Sequence, residues 1–503
     1  MTNSVDTDRG KSRIFRNASY LFVSQAVTWA LSLLLAVIVP RHFGPEASGQ
    51  FQVALSLWTI TGILIGFGTD TIITREVARH PQRLNELVGS GMLLRFGFHL
   101  VGFAILLVVT WLLGYSRPIL IFVAILGISN WMDQLAGMIS AAHYGLEEMP
   151  ALSVIGVLVR LIADSAAIIL TLLDFSLTMV IATRILGSIL YLGLLWFNLA
   201  RTAQFWPRPN RATSVWLLRS SAPIIITRLM RNLYAQLDII IISLLVTEVV
   251  VGWYGVADAL FGTMLFLPSI LGTVLFPMMA RMYDVTPAEA ARFTRRIFHL
   301  MLVVIVPLGL GVTAIAQPVV LLIYGEAFAP AGPVLATFGV VVIFTALNTV
   351  LNQQLVAMNR EKQQTWLLML AVVVAAPLDL LLIKVTQAQW QNGAIGGALA
   401  YIVTEGLITI GSVVILPAGT LNRSTIWLTL KTGAAGALMV LAAWLTNQYF
   451  LAIPILVGVV TYGVLAYLFR LVSRDDQQLI SQLIATQLSK LARFRSHSEQ
   501  FHT

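Results

Sequence analysis

Cysteine is absent from the 503 residues, so the chain has no disulfides, no thiolate ligands and no thiol nucleophiles. Charge is scarce as well: Asp, Glu, Lys and Arg make up 11% of the residues, against about 25% in a soluble domain. No water-soluble stretch is long enough to form a separate globular domain. The seven histidines are scattered. The patterns H-E-x-x-H, G-x-S-x-G and G-x-x-x-x-G-K-[ST] are missing, which leaves no motif for a metal centre, a serine hydrolase or a nucleotide site. No cofactor is implied, and ATP does not drive this chain directly.

What is present is apolar. Hydrophobic residues reach 58%, and the mean hydropathy is +0.84. The fold class is an all-α polytopic membrane protein. A net charge of +9 would suggest nucleic acid in a soluble protein; here basic loops that orient helices in the membrane explain it better. Arg9, Lys11, Arg13 and Arg16 precede about 22 apolar residues, too many for a signal-peptide core, so this segment reads as a retained first span.

Apolar runs of spanning length predict about fourteen membrane helices. Their limits are near 18–40, 50–73, 87–113, 118–142, 151–173, 177–199, 219–245, 252–280, 296–316, 333–358, 364–384, 394–416, 428–447 and 453–472. Gly114–Pro118 and Asp174 mark the two tightest turns. With the N-terminus in the cytoplasm, 23 of the 32 Lys and Arg fall on the inner side, and only Arg41, Arg117 and Lys384 on the outer side. That bias places both termini in the cytoplasm of a cell inner (plasma) membrane protein. The longest outer loop, 317–332, carries one ionisable residue, Glu326. A membrane glycosyltransferase or polymerase needs more, so an enzyme is not expected.

An internal repeat organises the spans. FGPEASGQFQVA after span 1 resembles LVTEVVVGWYGVA after span 7, which aligns Gly49 with Gly252, 203 residues apart. Further on, at an offset near 215, Asp133 meets Asn348, Asp164 meets Asp379, and Ala182-Thr183-Arg184 meets Val403-Thr404-Glu405. Each copy holds six spans, and an even number keeps the copies parallel. The expected organisation is a cytoplasmic N-terminus (1–17), an N-lobe (18–199), a cytoplasmic linker (200–218), a C-lobe (219–416), two extra C-terminal spans (428–472) and a cytoplasmic basic tail (473–503). Two pseudo-symmetric six-helix lobes facing a central cavity suit an alternating-access transporter. Spans 13 and 14 are apolar enough to form a groove for a lipid tail or simply to pack. In the tail, DDQQLISQLIATQLSKLARFR has helical amphipathic spacing suited to an anionic leaflet.

Charges inside the spans are the chemical signal, because one at mid-membrane costs at least about 2.5–3.5 kcal/mol. Arg228, Arg231 and Asp238 lie within roughly a quarter of the helix circumference. No acid stands within a turn of either arginine, so they need a partner from outside the protein, and guanidinium forks suit a phosphate or pyrophosphate. Arg95, Arg160 and Arg184 are further candidates for that group. Asp238, Asp258, Asp379 and Glu405 are candidates for a coupling ion, Na+ or H+. Arg160 and Asp164, four apart, can pair along one helix, and Asp379 precedes Lys384 by five. Pro223, Pro268, Pro277 and Pro307 are bending points.

Three stretches carry a family resemblance: RNASYLFVSQAVTWALSLLLAVIVPRHFGPEASGQF, then GTDTIITREVAR, then LLIYGEAFAPAGPVLATFGVVVIFTALNTVLNQQLVAMNREKQQ. With the many-span frame, they make the chain, from Asn17 to about Arg474, resemble polysaccharide flippases of the multidrug/oligosaccharidyl-lipid/polysaccharide exporter superfamily. The resemblance implies flipping of a polyprenyl-pyrophosphate-linked oligosaccharide from the inner to the outer leaflet, driven by an ion gradient or membrane potential. It implies a cationic cavity for the pyrophosphate, a role that Arg228 and Arg231 fit. Its partners are then the lipid-linked oligosaccharide, the bilayer, and polysaccharide polymerase or export components, with no nucleic acid. Related lipid II flippases use arginines in the first two spans, which this chain lacks there. That departure favours an O-antigen or exopolysaccharide repeat unit over the peptidoglycan precursor. The alternatives are a lipid II flippase, a drug or metabolite exporter of the same superfamily, and a non-transporting scaffold of a polysaccharide assembly complex.

Overall fold

The computed structural model describes residues 2–266, 268–269, 279, 281–283, 286–417, 419–446 and 448–472. Every regular element among them is helical. In chain order they are α1 (Thr2–Gly66), α2 (Thr69–Arg79), α3 (Leu84–Leu112), α4 (Arg117–Gly145), α5 (Met149–Leu172), α6 (Leu177–Ala203), α7 (Arg211–Leu245) and α8 (Glu248–Met264). Then follow α9 (Pro287–Tyr324), α10 (Ala331–Ala357), α11 (Glu361–Trp390), α12 (Gly393–Ile415), α13 (Arg423–Leu445) and α14 (Ala452–Leu468). The expected tail helix within 473–503 and Pro277 lie outside the described residues.

Apolar runs end where a backbone group can leave the helix. Gly114 (φ 72) and Asp174 (φ 59) take left-handed conformations at the two predicted turns. Spans 1 and 2 behave differently from the expectation. They are two helices that meet without a loop, at a kink on the one non-helical residue between them, Gly44 (φ 82, ψ 177). No loop is needed there, because Pro45 has φ preset for a first helical position and restarts the helix at once. Span 2 also stops short of residue 73: Phe67 (φ 49) and Gly68 (φ 72) break it, and α2 begins at Thr69.

Ten helical stretches among the described residues are long and apolar enough to cross a membrane, with Ala30–Gly66 counted as one. The expected count of fourteen therefore has no one-to-one match. Spans 1 and 2 are counted together in that stretch, α7 is not among the ten, and α8 and α14 have 17 residues each. The surfaces of these helices invert the soluble pattern. On α3, Leu93, Leu100, Val101, Ile105, Val108 and Leu112 are exposed while Ser90, Arg95, His99 and Thr110 are buried. Such an arrangement suits hydrocarbon outside and polar contacts inside. Some buried hydroxyls are satisfied by their own helix, as in Thr110 to the Leu106 carbonyl (2.6 Å) and Thr171 to that of Ala167 (2.8 Å).

The chain forms two compact units. One comprises Met1–Met264, Val319–Thr337 and Lys362–Ile408, the other Leu265–Pro318, Phe338–Glu361 and Thr409–Thr503. In the first unit, α1 crosses α8 with backbone against backbone. A Cβ added to Gly49 would strike the Glu248 carbonyl, and one added to Gly252 would strike the Pro45 carbonyl. Small residues permit this approach. Glu248 strengthens the crossing by accepting bonds from Gln50 Nε2 and Ser116 Oγ, each 2.5 Å. The segment between α6 and α7 is docked along α3. Arg208 N donates to the Asn85 carbonyl (2.9 Å), Trp206 N to the Asn85 side chain (3.0 Å), and Asn210 N to Ser90 Oγ (2.9 Å).

The second unit is built on the part of α9 before Val319 and the part of α10 after Thr337. They cross at Gly309 and Gly339, where a Cβ on either would strike the other's carbonyl. Thr294 bonds Gln354 (2.7 Å) on the same pair. α13 and α14 pack on each other through Met439 and Tyr462, and Tyr462 donates to the Val303 carbonyl of α9 (2.8 Å). Their outer faces, including Leu438, Leu441, Leu456, Val459 and Val460, are exposed and apolar.

Candidate functional site

The break between α1 and α2 creates the first part of the site. Gly66 ends a helix with an orphan carbonyl, and Thr69 and Asp70 start the next, a position that favours an acid. Arg95 reaches into this break from α3. Its Nη2 donates to the Gly66 carbonyl (3.3 Å) and to Asp70 Oδ1 (3.3 Å), its Nε to Thr69 Oγ1 (3.3 Å), and its Nη1 to the Gln134 carbonyl of α4 (3.0 Å). Gly137 leaves the room for it, since a Cβ there would lie 2.8 Å from Nη1. Arg228 arrives from α7. Its Nη1 donates to both oxygens of Asp70 (2.9 and 3.0 Å), and its Nη2 to Thr71 Oγ1 (2.8 Å).

These groups line a cavity of about 710 Å³ that also includes Arg75, Thr74, Gln134 and Tyr144. Three guanidinium groups and one carboxylate give it an excess of positive charge. Arg95 is buried, with 6% of its side chain exposed, whereas Arg228 is 43% exposed. Arg95 thus braces the site, and Arg228 and Arg75 remain open to a ligand.

A second cavity, about 780 Å³, is walled by α1, α4, α5, α6 and α8. Gly137 and Ser140 of α4 line both cavities. Its charges are balanced: Arg160 and Arg184 against Asp133 and Asp164. Arg160 bonds Ser32 Oγ (2.8 Å) and lies 3.9 Å from Asp164, as their four-residue spacing predicts, while Arg184 lies over the Phe51 ring (5.8 Å). Hydroxyls of Ser32, Ser48, Ser140, Thr183 and Ser188, with Phe51 and Tyr191, complete a lining suited to a polar, uncharged group.

The four acids form a third cluster in the same unit. Asp238 is buried on α7, accepts a 2.7 Å bond from Tyr254, and faces the carboxyl group of Asp379 on α11, with half-buried Asp258 of α8 nearby. Glu405 of α12 accepts from Tyr234 (3.1 Å), whose ring meets Tyr401 at 5.5 Å. Among the described residues, neither Asp238 nor Asp379 has an ion pair with Lys, Arg or His. Both oxygens of Asp379 are buried without a hydrogen-bond donor. A carboxyl pair under 10% exposed, with no paired cation among the described residues, is chemically suited to sharing a proton or holding a small monovalent ion.

The five arginines expected at one site therefore fall in three places. Arg95 and Arg228 share the cationic cavity, Arg160 and Arg184 line the balanced one, and exposed Arg231 makes no ion pair among the described residues and lines neither. The expectation that Arg228 lacks an acid within the protein is corrected: Asp70, 158 residues away, supplies it. Asp379 is likewise buried beside Asp238 rather than turned toward Lys384. Asp70 and Arg75 were missed because residues 68–79 read as the end of a span and an inner loop. The signal was the Gly-Thr-Asp triplet, a helix-start pattern interrupting an apolar run.

Long kinked helices with inward charges and outward aliphatic faces define a polytopic membrane protein. Several solved structures share its fold. A structure described as lipid II flippase MurJ in an inward closed conformation superposes with a TM-score of 0.69 at 13% identity, covering 90% of this chain and 98% of that one. An inward-facing multidrug resistance MATE family transporter of the MOP superfamily gives 0.60 at 14% identity, over 78% and 97%. A point mutant of the Vibrio cholerae MATE transporter VcmN gives 0.52 at 12%, over 80% and 95%. No curated protein matches the chain in sequence. The family described as polysaccharide biosynthesis protein matches residues 14–283, more than half of the chain, and the chain belongs to it.

Proposed function

We propose that this protein flips a polyprenyl-pyrophosphate-linked oligosaccharide, a repeat unit of a cell-surface polysaccharide, from the inner to the outer leaflet by ion-coupled alternating access. The observation that carries the reading is the cationic cavity around Arg75, Arg95 and Arg228, in a membrane protein of a polysaccharide-biosynthesis family. Arg228 and Arg75 would hold the pyrophosphate, with exposed Arg231 on the approach. The adjoining balanced cavity, with Arg160 and Arg184, would take sugar nearest the phosphates. Asp238, Asp379, Asp258 and Glu405 would hold the coupling Na+ or H+.

The test is a head-group accessibility assay in proteoliposomes. A fluorescent polyprenyl-pyrophosphate oligosaccharide is the substrate, and an impermeant quencher reports the outer leaflet. Gradient-dependent flipping by the wild type and its loss in Arg228→Ala are expected. Flipping of lipid II instead would reassign the substrate. Organic-cation export without any lipid flipping would favour the exporter.

A further inference from the structure

We propose that Asp70 is the resident counter-anion of the cationic cavity: it holds Arg228 while the cavity is empty and yields it to an incoming diphosphate, which releases α7 from α2. The inference rests on the reading that this cavity takes a pyrophosphate. Asp70 is the one acid among the residues lining the cavity. Its two oxygens satisfy Arg228 Nη1 at 2.9 and 3.0 Å, the geometry a phosphate oxygen pair would also supply.

Two features make exchange feasible. Arg228 is 43% exposed, so a ligand can reach it without first opening the pair. Asp70 is not stranded when Arg228 leaves, because Arg95 remains on Oδ1 at 3.3 Å. Arg95 is itself fixed by the Gly66 and Gln134 carbonyls and by Thr69. One carboxylate bridges two cations, and only the outer one is free to change partners. Asp70 and a diphosphate repel each other, so both cannot occupy Arg228 at full strength. The Arg228 bonds to Asp70 and Thr71 are also ties between α2 and α7. Occupancy of the anion site and contact between these helices thus become alternatives. Asp70 is a positioning residue, setting both the affinity for diphosphate and the conformation in which it binds.

The experiment uses the full-length chain in detergent, with inorganic pyrophosphate as the probe. Affinity is measured by calorimetry for wild type, Asp70→Asn, Asp70→Glu and Arg228→Ala. The separation of α2 and α7 is measured by pulsed electron paramagnetic resonance, with spin labels at His80→Cys and Ile226→Cys. Removing a partly exposed competitor should tighten binding about fivefold in Asp70→Asn, and Asp70→Glu should restore the wild-type value. Without ligand, Asp70→Asn should already show the distance that pyrophosphate induces in the wild type. Unchanged or weaker binding by folded Asp70→Asn, with binding still lost in Arg228→Ala, would overturn the exchange and leave the anion site standing. Wild-type binding by Arg228→Ala would overturn the site itself. Should Asp70→Asn not fold, the wild-type distances decide: bound pyrophosphate that leaves them unmoved refutes the exchange.

Discussion

Two arginines that share one carboxylate differ in what they are for. Arg95 is enclosed and bonded to two main-chain carbonyls, Thr69 and Asp70, so Arg95→Ala removes a buried charged hydrogen-bond network and should cost about 3 kcal/mol of stability. Arg228→Ala removes a half-open pair and should cost less than about 1 kcal/mol. Thermal denaturation in detergent separates them: a large fall in midpoint for Arg95→Ala and a small one for Arg228→Ala. Asp379 offers the opposite test. A coupling cation at ten times its dissociation constant stabilises the fold by about 1.4 kcal/mol. Replacing choline by Na+, or lowering pH, should raise the wild-type midpoint and leave Asp379→Asn unchanged. A shift that persists in Asp379→Asn would remove this residue from the ion site. Most of these charges were legible in the sequence, because an ionisable group in an apolar run stands out against its neighbours. Their partners were not, since Asp70 lies 158 residues from Arg228 and Asp379 is 141 residues from Asp238.

Elements were more readable than contacts. The limits expected for spans 3 to 6 and 10 fall within a few residues of α3 to α6 and α10, because long apolar runs and left-handed turn residues are local properties. The helix break at Phe67–Gly68 was missed because Ile72 and Ile73 continue the apolar run beyond it. So was the docking of residues 206–210 on α3, which depends on Asn85 and Ser90, polar residues at the start of that helix with no sequence signal for such a contact. That docking fixes the start of α7. Motion of α7 must then begin beyond it, and Pro223, inside the helix, is the weak point. Pro223→Ala, which restores a backbone donor, should slow flipping several-fold while leaving pyrophosphate affinity unchanged. Equal losses in both would make Pro223 a folding residue only.

For the whole molecule, the absence of cysteine provides a clean background for cross-linking. A Cβ on Gly255 would lie 3.6 Å from that of Gln52, within the range of about 3.5–4.5 Å that a disulfide spans. Oxidised Gln52→Cys/Gly255→Cys should bridge α1 to α8, stop flipping, and recover on reduction. Flipping that continued in the bridged protein would mean that this crossing does not open during transport. Thiol labelling at His80→Cys from the cytoplasm and at Glu326→Cys from outside would test the orientation deduced from basic loops. The crossing has one more implication. Gly49 meets the carbonyl of residue 248 and Gly252 that of residue 45, and positions 45 and 248, like positions 49 and 252, are 203 apart. Mutual contact of that kind, with each patch receiving its own counterpart, is how two identical subunits meet about a two-fold axis. The crossing therefore has the reciprocal geometry of a two-fold interface, here within a single chain. The reciprocity stops at the side chains: Pro45 stands on one side and Glu248 on the other, and Glu248 accepts bonds from Gln50 and Ser116 that a proline side chain cannot make.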